Sequence, residues 1–471
     1  MLGAMLDKIF KAYDVRGVYP EPLGEDDAWR IGQGAAAFLV EQRDASTPAA
    51  RTIVVGRDMR ASSPSLAKEL IRGMTERGAS VVDIGLIDTP LLYFAVNHLH
   101  AAGGVMTTAS HNPPQYNGFK VCAAQAKPVG ESTGLKEIKQ AAAAARPAGA
   151  AGAPGRVMQQ DLWSAYAKHV LRFANLGGRR LKVVVDASNG MAGTMVPLVF
   201  GPRGANVPGL TIVEMNFEND KGVFVHEPNP LLPSAIEGLR AAVVREGADL
   251  GLCFDGDADR CIAVDEKGAA VGCDHLTAWL GAWFLKSNPG AAVVYDLRSS
   301  KAVEEDVRAA GGKPVRGRVG HVFLKALLAE HKGVFGGELS GHFYFRDNFN
   351  ADSGAIAMAS VLTCLAQAGK PMSECVRAVA RYPQSGEINF RIEDKDGALA
   401  ALKARYAGRG KIDDLDGVTV DCFDAEGWWC NVRKSNTEPL LRLNLEARDE
   451  PTLRRMVGEI APTLGERDAG H

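Results

Sequence analysis

The sequence lacks a surplus of charge of either sign, and this absence excludes several classes of partner. Its 54 lysines and arginines nearly balance 56 aspartates and glutamates, which gives a formal net charge of −2. A protein that binds nucleic acid or an anionic membrane through its overall field carries a basic surplus. We therefore expect no nucleic-acid partner and no membrane partner. Any attraction for phosphorylated compounds has to come from a few arginines at one site.

Long apolar runs and paired cysteines are also missing. No uninterrupted apolar stretch reaches the roughly 20 residues that span a bilayer, and the N-terminal segment MLGAMLDKIF has no cleavage-site pattern. The eight cysteines are scattered without a CxxC pair, and several lie in apolar runs, as Cys253, Cys261 and Cys364 do. Such cysteines are typical of reduced core residues. The expectation is a cytoplasmic protein, as a monomer or a dimer.

The sequence does contain a regular alternation of strand-like apolar runs and amphipathic helical stretches, which is typical of α/β layers. Three runs look alike, near Val54 (TIVVGRD), Val184 (KVVVDASNG) and Val294 (AVVYDLRSS), and each leads into a helical segment. Their regular recurrence predicts three similar α/β domains with mixed or parallel sheets. From about Arg381 onward, short strands with few helices between them predict a smaller α+β domain.

The length of 471 residues also predicts several domains, since single cores stop growing at roughly 250 to 300 residues. The segment Ala141–Gly155 consists almost entirely of alanine, glycine and proline, which is typical of a helix end followed by a linker. We place the first boundary there. The predicted domains are 1–155, 156–262, 263–380 and 381–471.

The segment GVMTTASHNPPQYNGFK, Gly104 to Lys120, sets Ser110 next to His111 among small residues and turn formers. A serine hydroxyl is a weak nucleophile without a neighbouring base or metal. Ser110 is therefore the first residue to test as a phosphate carrier. Taken by itself, a serine–histidine pair in a loop is more often a turn with a hydrogen-bonded hydroxyl.

A metal-site candidate lies downstream in LGLCFDGDADRCIAV, where Asp255, Asp257 and Asp259 alternate with small residues. An all-oxygen cluster suits a hard cation such as Mg²⁺, which often completes its shell with a phosphate oxygen. With Glu266, the aspartates also match positions of a calcium-binding loop. Arg260 stands where that loop needs glycine, and the flanks predict strands rather than helices. Metal in a strand-to-strand loop is the better interpretation.

TASHNP and DGDADR resemble motifs of the alpha-D-phosphohexomutase family, and two further motifs follow in the family's order. GGELSGH (Gly336–His342) is similar to its sugar-recognition loop, and RKSNTEP (Arg433–Pro439) is similar to its phosphate-binding loop. The resemblance begins at FKAYDVRG (Phe10–Gly17), covers nearly the whole chain, and is strongest to the phosphomannomutase and phosphoglucomutase branch. Four ordered motifs are far more specific than one. The family's fold has three similar α/β domains and a fourth C-terminal domain around a central cleft.

The resemblance implies a reversible conversion between hexose 1-phosphate and hexose 6-phosphate, with sugar phosphates as the partners. It also implies that Ser110 carries a phosphoryl group and, with Asp255, Asp257 and Asp259, holds Mg²⁺, and that hexose 1,6-bisphosphate is the intermediate and activator. The implied catalytic residues are Ser110, Lys120, His342, Arg16 and His111, of which Lys120 and His342 are favoured for proton transfer. The implied substrate contacts are Tyr13, Arg260, Arg298, His321, Glu338, Leu339, Ser340, Gly341, His342, Arg433, Lys434, Ser435, Asn436 and Thr437.

Some of these residues have a plainer interpretation when taken alone. Arg433 can fork onto phosphate oxygens and Glu338 can accept from ring hydroxyls, but either loop without its partners would pass for an ordinary polar turn. Arg260 can form a salt bridge to an adjacent aspartate. Arg298 stands where some bifunctional members have lysine, and the glucosamine-specific branch usually carries glutamine at the position of Leu339.

Three alternative functions remain at this stage. A phosphoglucosamine mutase differs only in the sugar. A metal-dependent phosphatase would transfer the phosphoryl group to water, which needs neither a second phosphate grip nor a sugar loop, so RKSNTEP and GGELSGH argue against it. An inactive sugar-phosphate-binding protein would have no need to retain Ser110 with all three aspartates.

Overall fold

The structure is a computed structural model that describes residues 2–41, 47, 49–146, 153–435 and 440–468. The chain forms two compact units. Unit 1 comprises Met1–Val271 with Ser340–Ser373, and unit 2 comprises Gly272–Leu339 with Glu374–His471. The chain therefore passes between the units three times, after residues 271, 339 and 373.

The first sheet of unit 1 is mixed. Its strands are β1 (Val15–Val18), β2 (Thr52–Arg57), β3 (Ser80–Leu86), β4 (Gly103–Thr107), β5 (Tyr116–Ala123), β6 (Lys127–Pro128) and β7 (Val157–Gln159). Their order is β1-β5-β4-β2-β3-β7, with β6 paired to β5. The β4-β2-β3-β7 part is parallel, and β5 is antiparallel to both β1 and β4. The helices of this part are α1 (Leu2–Ile9), α2 (Glu25–Ala36), α3 (Ser63–Glu76), α4 (Thr89–His98) and α5 (Leu135–Ala143).

The second sheet of unit 1 has the order β12-β11-β10-β8-β9. Its strands are β8 (Leu181–Asp186), β9 (Leu210–Met215), β10 (Leu250–Phe254), β11 (Cys261–Asp265) and β12 (Ala270–Val271), and its helices are α6 (Trp163–Val170), α7 (Ala192–Val199) and α8 (Pro233–Glu246). β10 and β9 are parallel to β8, whereas β11 pairs with β10 in antiparallel register. β10 reads LGLCF and is buried throughout, as expected of a strand covered on both faces.

Unit 2 contains a short parallel sheet and an antiparallel one. The parallel strands are β13 (Ala292–Asp296), β14 (Lys313–Gly317) and β15 (Phe335–Gly337), with β13 between the other two. Their helices are α9 (Cys273–Ser287), α10 (Lys301–Ala309) and α11 (His321–Glu330). The segment Ser340–Ser373 of unit 1 adds β16 (Phe343–Phe345), β17 (Ala351–Asp352) and α12 (Gly354–Ala368), and α13 (Met372–Val379) runs across the last passage into unit 2.

The C-terminal sheet has the order β19-β20-β21-β22-β18-β23, and every pair in it is antiparallel. The strands are β18 (Gln384–Arg391), β19 (Lys411–Asp413), β20 (Val418–Asp421), β21 (Trp428–Lys434), β22 (Leu440–Ala447) and β23 (Glu466–Arg467). The helices are α14 (Lys395–Tyr406), α15 (Phe423–Glu426) and α16 (Glu450–Ile460). This arrangement is the predicted α+β domain.

The three similar runs of the sequence are β2, β8 and β13, and each leads into the predicted helix, namely α3, α7 and α10. All three also share a turn. At the end of each strand, or one residue beyond it, an aspartate carboxylate accepts a hydrogen bond from the amide two residues further on, which fixes the first residues of the loop. The pairs are Asp58 with Arg60 (3.0 Å), Asp186 with Ser188 (2.9 Å) and Asp296 with Arg298 (2.8 Å). The predicted fold class is confirmed.

The cores consist of the strands and the facing sides of these helices. All eight cysteines are buried and none forms a disulfide, in agreement with their assignment to the core. Within the ranges that the structure describes, no helix has the length and hydropathy needed to cross a bilayer.

Candidate active site

The serine segment forms a turn between two antiparallel strands. β4 ends at Thr107 and β5 begins at Tyr116. Ser110 is 2% exposed and has a φ of 49°, a left-handed conformation that is uncommon for residues other than glycine. Its amide donates to the Thr108 hydroxyl at 2.9 Å. The turn therefore holds the serine in one defined position.

Arg60 fixes the carbonyl groups of this turn, and the sequence analysis did not single it out. It is 1% exposed and pairs with Asp58 at 3.1 Å. Its other donors bind the main-chain oxygens of Ser110 (2.8 Å), Asn112 (2.6 Å), Pro113 (2.7 Å) and Tyr116 (3.0 Å). The sequence repeat could have indicated Arg60, because Arg60 follows Asp58 at the same spacing as Arg298 follows Asp296.

The metal-loop candidate is the turn of the β10–β11 hairpin. Asp255, Asp257 and Asp259 lie here with buried side chains, and they offer carboxylate oxygens within 4.8 Å of one another. Ala258 adopts a φ of 57°, which bends the turn so that the three carboxylates converge. Two of the three predicted metal aspartates share a partner, since the Lys120 ammonium lies 2.7 Å from both Asp257 and Asp259.

The serine turn and the hairpin turn are in direct contact. The Ser110 hydroxyl donates to Asp255 Oδ2 at 2.9 Å. The backbones of the two turns are also in close contact, because a Cβ atom added to Gly256 would lie 2.4 Å from the Ser110 carbonyl oxygen. Only glycine allows this separation. The structure thus brings Ser110 to aspartates that are 145 or more positions further along the sequence, as the predicted metal site requires.

The electrostatics of the three aspartates fit a cation. Burial, and then Asp259 and Asp257, raise the pKa of Asp255 well above its usual value. For Asp259 the effect of burial is outweighed by Lys120, His342 and Arg260, which hold its pKa well below its usual range. Asp257 Oδ1 is buried without a hydrogen-bond partner. A divalent ion would supply that partner and favour the ionised form of all three groups.

Thr89 orients one of these carboxylates, and the sequence gave no sign of it. It is the first residue of α4 and is fully buried. Its hydroxyl donates to Asp257 Oδ2 at 2.6 Å and its amide donates to the Asp257 carbonyl at 3.1 Å. The preceding residue, Asp88, accepts from the Tyr166 hydroxyl at 3.1 Å. The two hydrogen bonds from Thr89 to Asp257 connect the metal loop to the start of α4.

The predicted proton-transfer groups surround this cluster in unit 1. Burial alone would lower the pKa of Lys120, but Asp257, Asp259 and Asp255 outweigh it and raise that pKa above its usual value. His342 Nε2 lies 3.3 Å from Asp259 Oδ1. The backbones of His342 and Arg260 form an antiparallel β-bridge. This bridge places His342, from the segment Ser340–Ser373, beside the metal loop.

The remaining predicted groups of this part lie around the serine turn. His111 Nδ1 is 3.4 Å from the Ser110 hydroxyl, and burial together with Arg260, Arg16 and Lys120 holds the pKa of His111 well below its usual range. Arg16, on β1, donates to the side chains of Asn112 and Asp14. Tyr13 is half-buried just before β1.

Arg260 takes the salt bridge that the sequence offered as its plainer role. Its guanidinium Nε is 3.7 Å from Asp255 Oδ2, and its amide donates to Asp255 Oδ1 at 3.2 Å. Both contacts lie at the side of the acidic cluster that is nearest Ser110. A positive charge at this position is consistent with a phosphoserine contact.

The sugar-loop segment is divided between the two units. Ser340, Gly341 and His342 belong to unit 1, where the Ser340 hydroxyl lies 2.9 Å from His342 Nδ1. Glu338 and Leu339 belong to unit 2. There the Glu338 carboxylate accepts from the Gly320 amide at 3.2 Å, next to His321 at the start of α11.

Unit 2 concentrates arginines around one carboxylate. Arg298, Arg433 and Arg442 lie 3.6, 3.3 and 2.9 Å from the two oxygens of Glu387. Burial and the neighbouring Arg298 lower the pKa of Arg433. The Arg433 Nε is buried without a hydrogen-bond partner among the described residues, so this donor is left for an anion. Sequence reasoning missed Arg442, whose side chain reaches the cluster from the adjacent strand β22.

The described part of the predicted phosphate loop includes Lys434 and Ser435. Lys434 pairs with Asp396 at 2.7 Å, and the Ser435 amide donates to the Leu440 carbonyl at 2.9 Å. Asn436 and Thr437 lie outside the described residues. Arg298, in turn, binds Asp296 at 3.0 Å and lies 3.7 Å from Glu338.

These groups define the class of protein. A buried serine beside a cluster of carboxylates, together with a cluster of arginines in unit 2, is typical of an enzyme that transfers phosphoryl groups. Family models of phosphoglucomutase/phosphomannomutase match residues 7–148 (alpha/beta/alpha domain I), 164–268 (domain II), 273–382 (domain III) and 387–463 (C-terminal domain). The chain belongs to the phosphoglucomutase/phosphomannomutase family, as the sequence motifs indicated.

Individual relatives agree with this assignment. A phosphomannomutase of Salmonella montevideo is 38% identical over 97% of this chain and 98% of its own. A protein of Xanthomonas campestris named as phosphohexose mutases is 39% identical over 94% of this chain and 96% of its own. The crystal structure of a phosphoglucomutase/phosphomannomutase family protein from Burkholderia thailandensis superposes with a TM-score of 0.86 at 29% identity, covering 97% of this chain and 96% of that one.

Proposed function

We propose that this protein is a phosphohexomutase of the phosphomannomutase/phosphoglucomutase type, which interconverts hexose 1-phosphate and hexose 6-phosphate. The observation that carries the proposal is the 2.9 Å contact between the Ser110 hydroxyl and Asp255 in the buried acidic cluster. The free and buried cysteines support the expected cytoplasmic location.

In the proposed reaction Ser110 carries a phosphoryl group at rest. The free hydroxyl of a hexose monophosphate attacks phosphorus, the bond to the seryl oxygen breaks, and hexose 1,6-bisphosphate forms. The sugar hydroxyl loses a proton and the seryl oxygen gains one; we assign these transfers to His342 and Lys120. The second phosphate then returns to Ser110, and the isomeric monophosphate is released.

The three aspartates and Ser110 are proposed to hold Mg²⁺. When bound, the ion neutralises charge on the phosphoryl group in transit. Arg60 holds the serine turn in place through its carbonyl groups, while Arg16, Arg260 and His111 supply charge and hydrogen bonds around the serine. The unpaired, buried oxygen of Asp257 is the structural support for this assignment.

The substrate phosphate that does not react needs a separate binding site. We assign it to the arginine cluster of unit 2, in which Arg433 is the central donor and Arg298 the second, with Lys434, Ser435, Asn436 and Thr437 as further contacts. Sugar hydroxyls are assigned to Glu338, Leu339, Ser340, Gly341, His321 and Tyr13. The buried Arg433 Nε, which has no hydrogen-bond partner among the described residues, supports this part of the proposal.

The decisive test is a coupled assay with trace hexose 1,6-bisphosphate as primer. We expect turnover of mannose 1-phosphate and glucose 1-phosphate above that of glucosamine 1-phosphate. A glucosamine preference would move the assignment to a phosphoglucosamine mutase, and release of inorganic phosphate without isomerisation would indicate the phosphatase.

Ser110→Ala tests the covalent mechanism. We expect loss of turnover, and loss of label transfer from phosphorus-labelled hexose 1,6-bisphosphate to the protein, with sugar-phosphate binding retained. Undiminished activity would reject the phosphoserine intermediate. Asp257→Asn should abolish the turnover that depends on Mg²⁺; a variant that keeps the parent activity, also in chelator, would exclude the proposed metal site.

Arg433→Ala tests the phosphate grip. We expect a KM for the hexose phosphate that is at least about tenfold higher, because a charge-assisted hydrogen bond is lost from a buried position. The exposed Arg391, on strand β18 of the same sheet, provides the control substitution, Arg391→Ala, which should leave KM unchanged.

A further inference from the structure

A cavity of about 240 Å³ in unit 2 has no role in the proposed reaction. One wall comes from β13, β14 and the start of α10, and the other from β19, β20 and β21. None of the residues assigned to the substrate lines it. Its volume is slightly below the roughly 300–1,000 Å³ of sites for drug-sized molecules, so it suits a smaller metabolite.

Two hydroxyl groups of this cavity lack hydrogen-bond partners among the described residues. The Ser299 side chain is 5% exposed, and its hydroxyl is buried and unsatisfied. Native proteins rarely leave a buried hydroxyl of this kind unpaired. Tyr295 lines the same cavity, and no described group bonds to its hydroxyl, which is not one of the fully buried atoms. A polar molecule in the cavity would offer a partner to both residues.

The cavity lining has three cations and three carboxylates, and two of the cations are neutralised within it. Lys301 pairs with Asp421 at 2.6 Å, and Arg316 pairs with Asp413. The third carboxylate, Glu304, is paired with Arg308 outside the lining at 2.6 Å. Lys411, on the exposed edge of β19, has no ion pair within the described part of the chain. Lys411 is therefore the cation of the lining that is left for an anion.

We propose that this cavity binds a small hydroxylated anion, with its phosphate or carboxylate group on Lys411 and its hydroxyls on Tyr295 and Ser299. The Trp429 ring lines the same space while its Nε1 donates to Glu446 at 2.9 Å, so the ring face is left for the carbon skeleton. Because the walls come from residues 295–316 and 411–429, a bound molecule contacts both the parallel and the antiparallel part of unit 2. The site does not depend on the proposed mutase reaction.

Calorimetric titration of the full chain tests this site. The probes are sn-glycerol 3-phosphate, glycerate and uncharged glycerol, and the background is Arg433→Ala, which weakens the proposed substrate phosphate site. We expect saturable binding of at least one anion and none of glycerol. Lys411→Met should raise Kd about tenfold or more, because a charge-assisted contact is lost. Ser299→Ala should also weaken binding.

Lys313→Met is the matched control. Lys313 is likewise exposed and without an ion pair within the described residues, but it does not line the cavity, so Kd should stay the same. Preference for glycerol 3-phosphate over glycerate identifies a phosphate ester as the natural class, and the reverse preference identifies a hydroxy acid. Three outcomes overturn the proposal: no binding of either anion at millimolar concentration, equal binding of glycerol, or binding that is indifferent to both Lys411→Met and Ser299→Ala.

Discussion

At the scale of single residues, the same local turn is used for two purposes. Arg60 and Arg298 each stand two residues after an aspartate that ends a strand, and each binds that aspartate. The other donors of Arg60 bind carbonyl oxygens of the serine turn. Arg298 instead joins the arginines around Glu387. A repeat in the sequence thus predicts the turn, while the tertiary surroundings decide what the arginine does.

Thr89 offers a residue-scale prediction, because its hydroxyl holds Asp257 in place. Thr89→Val should weaken Mg²⁺ binding about tenfold or more, the range found when a hydrogen-bond partner of a metal ligand is removed. Thr89→Ser keeps the hydroxyl and should restore the affinity. Titration calorimetry with Mg²⁺ measures the change. The exposed Thr211 supplies the control Thr211→Val, and an unchanged affinity in Thr89→Val would contradict the assignment.

Asp88 should make stability depend on pH. Burial raises its pKa from 3.8 to about 8, so between these values the folded chain keeps a proton that the unfolded chain has lost. The contribution of Asp88 to the free energy of unfolding is therefore complete below about pH 4. It declines as pH rises towards 8, by at most about 1.4 kcal/mol per pH unit. Asp88→Asn should flatten this decline.

Thermal unfolding of the metal-free protein across this pH range measures the effect. The exposed Asp220 provides a control, Asp220→Asn, which should leave the pH dependence of Tm as it is in the parent chain. Parallel Tm profiles for the parent chain and Asp88→Asn would show that Asp88 is not the titrating group.

At the scale of elements, the site depends on two turns that pack against each other. The β4–β5 turn carries Ser110 and the β10–β11 turn carries the aspartates. Each links two antiparallel strands of a mixed sheet. Both ends of each turn are held by the hydrogen bonds between these strands. The contact between the turns requires Gly256.

Gly256→Ala tests that contact. The added methyl group would lie 2.4 Å from the Ser110 carbonyl oxygen, so the turns have to separate. We expect kcat/KM for hexose phosphates to fall about 100-fold, since displacements of about 1 Å have effects of this size. Gly458→Ala, whose methyl group meets nothing within 4 Å, is the control. Full activity of Gly256→Ala would show that the turns do not act together.

At the scale of the whole molecule, the predicted groups fall in both units. Ser110, Lys120, the aspartates and His342 belong to unit 1, whereas Arg298, Glu338 and Arg433 belong to unit 2. The proposed substrate needs groups from both sets, but the proposed ion needs only the first. The domain boundaries placed at residues 155, 262 and 380 stay predictions.

Hydrogen exchange separates the two requirements. Mg²⁺ alone should slow amide exchange in peptides from 104–120 and 250–265, because ligands that bind the folded state suppress local opening. Addition of glucose 1-phosphate to Ser110→Ala should extend the protection to peptides from 428–434. Asp257→Asn serves as the control for the effect of the ion. Protection of 428–434 by Mg²⁺ alone would contradict this division of roles.

The sequence by itself determined the α/β fold class, the three related strand-to-helix units, the final α+β part and the motif residues, because hydrophobic periodicity and turn chemistry are local properties. It did not identify Thr89, Arg60 or Arg442, whose roles arise from contacts with residues far away in the chain. Nor did the alanine-rich segment before β7 indicate that this strand would join the first sheet. Only the tertiary structure decided these points, since packing and hydrogen bonding between distant segments depend on how the whole chain folds.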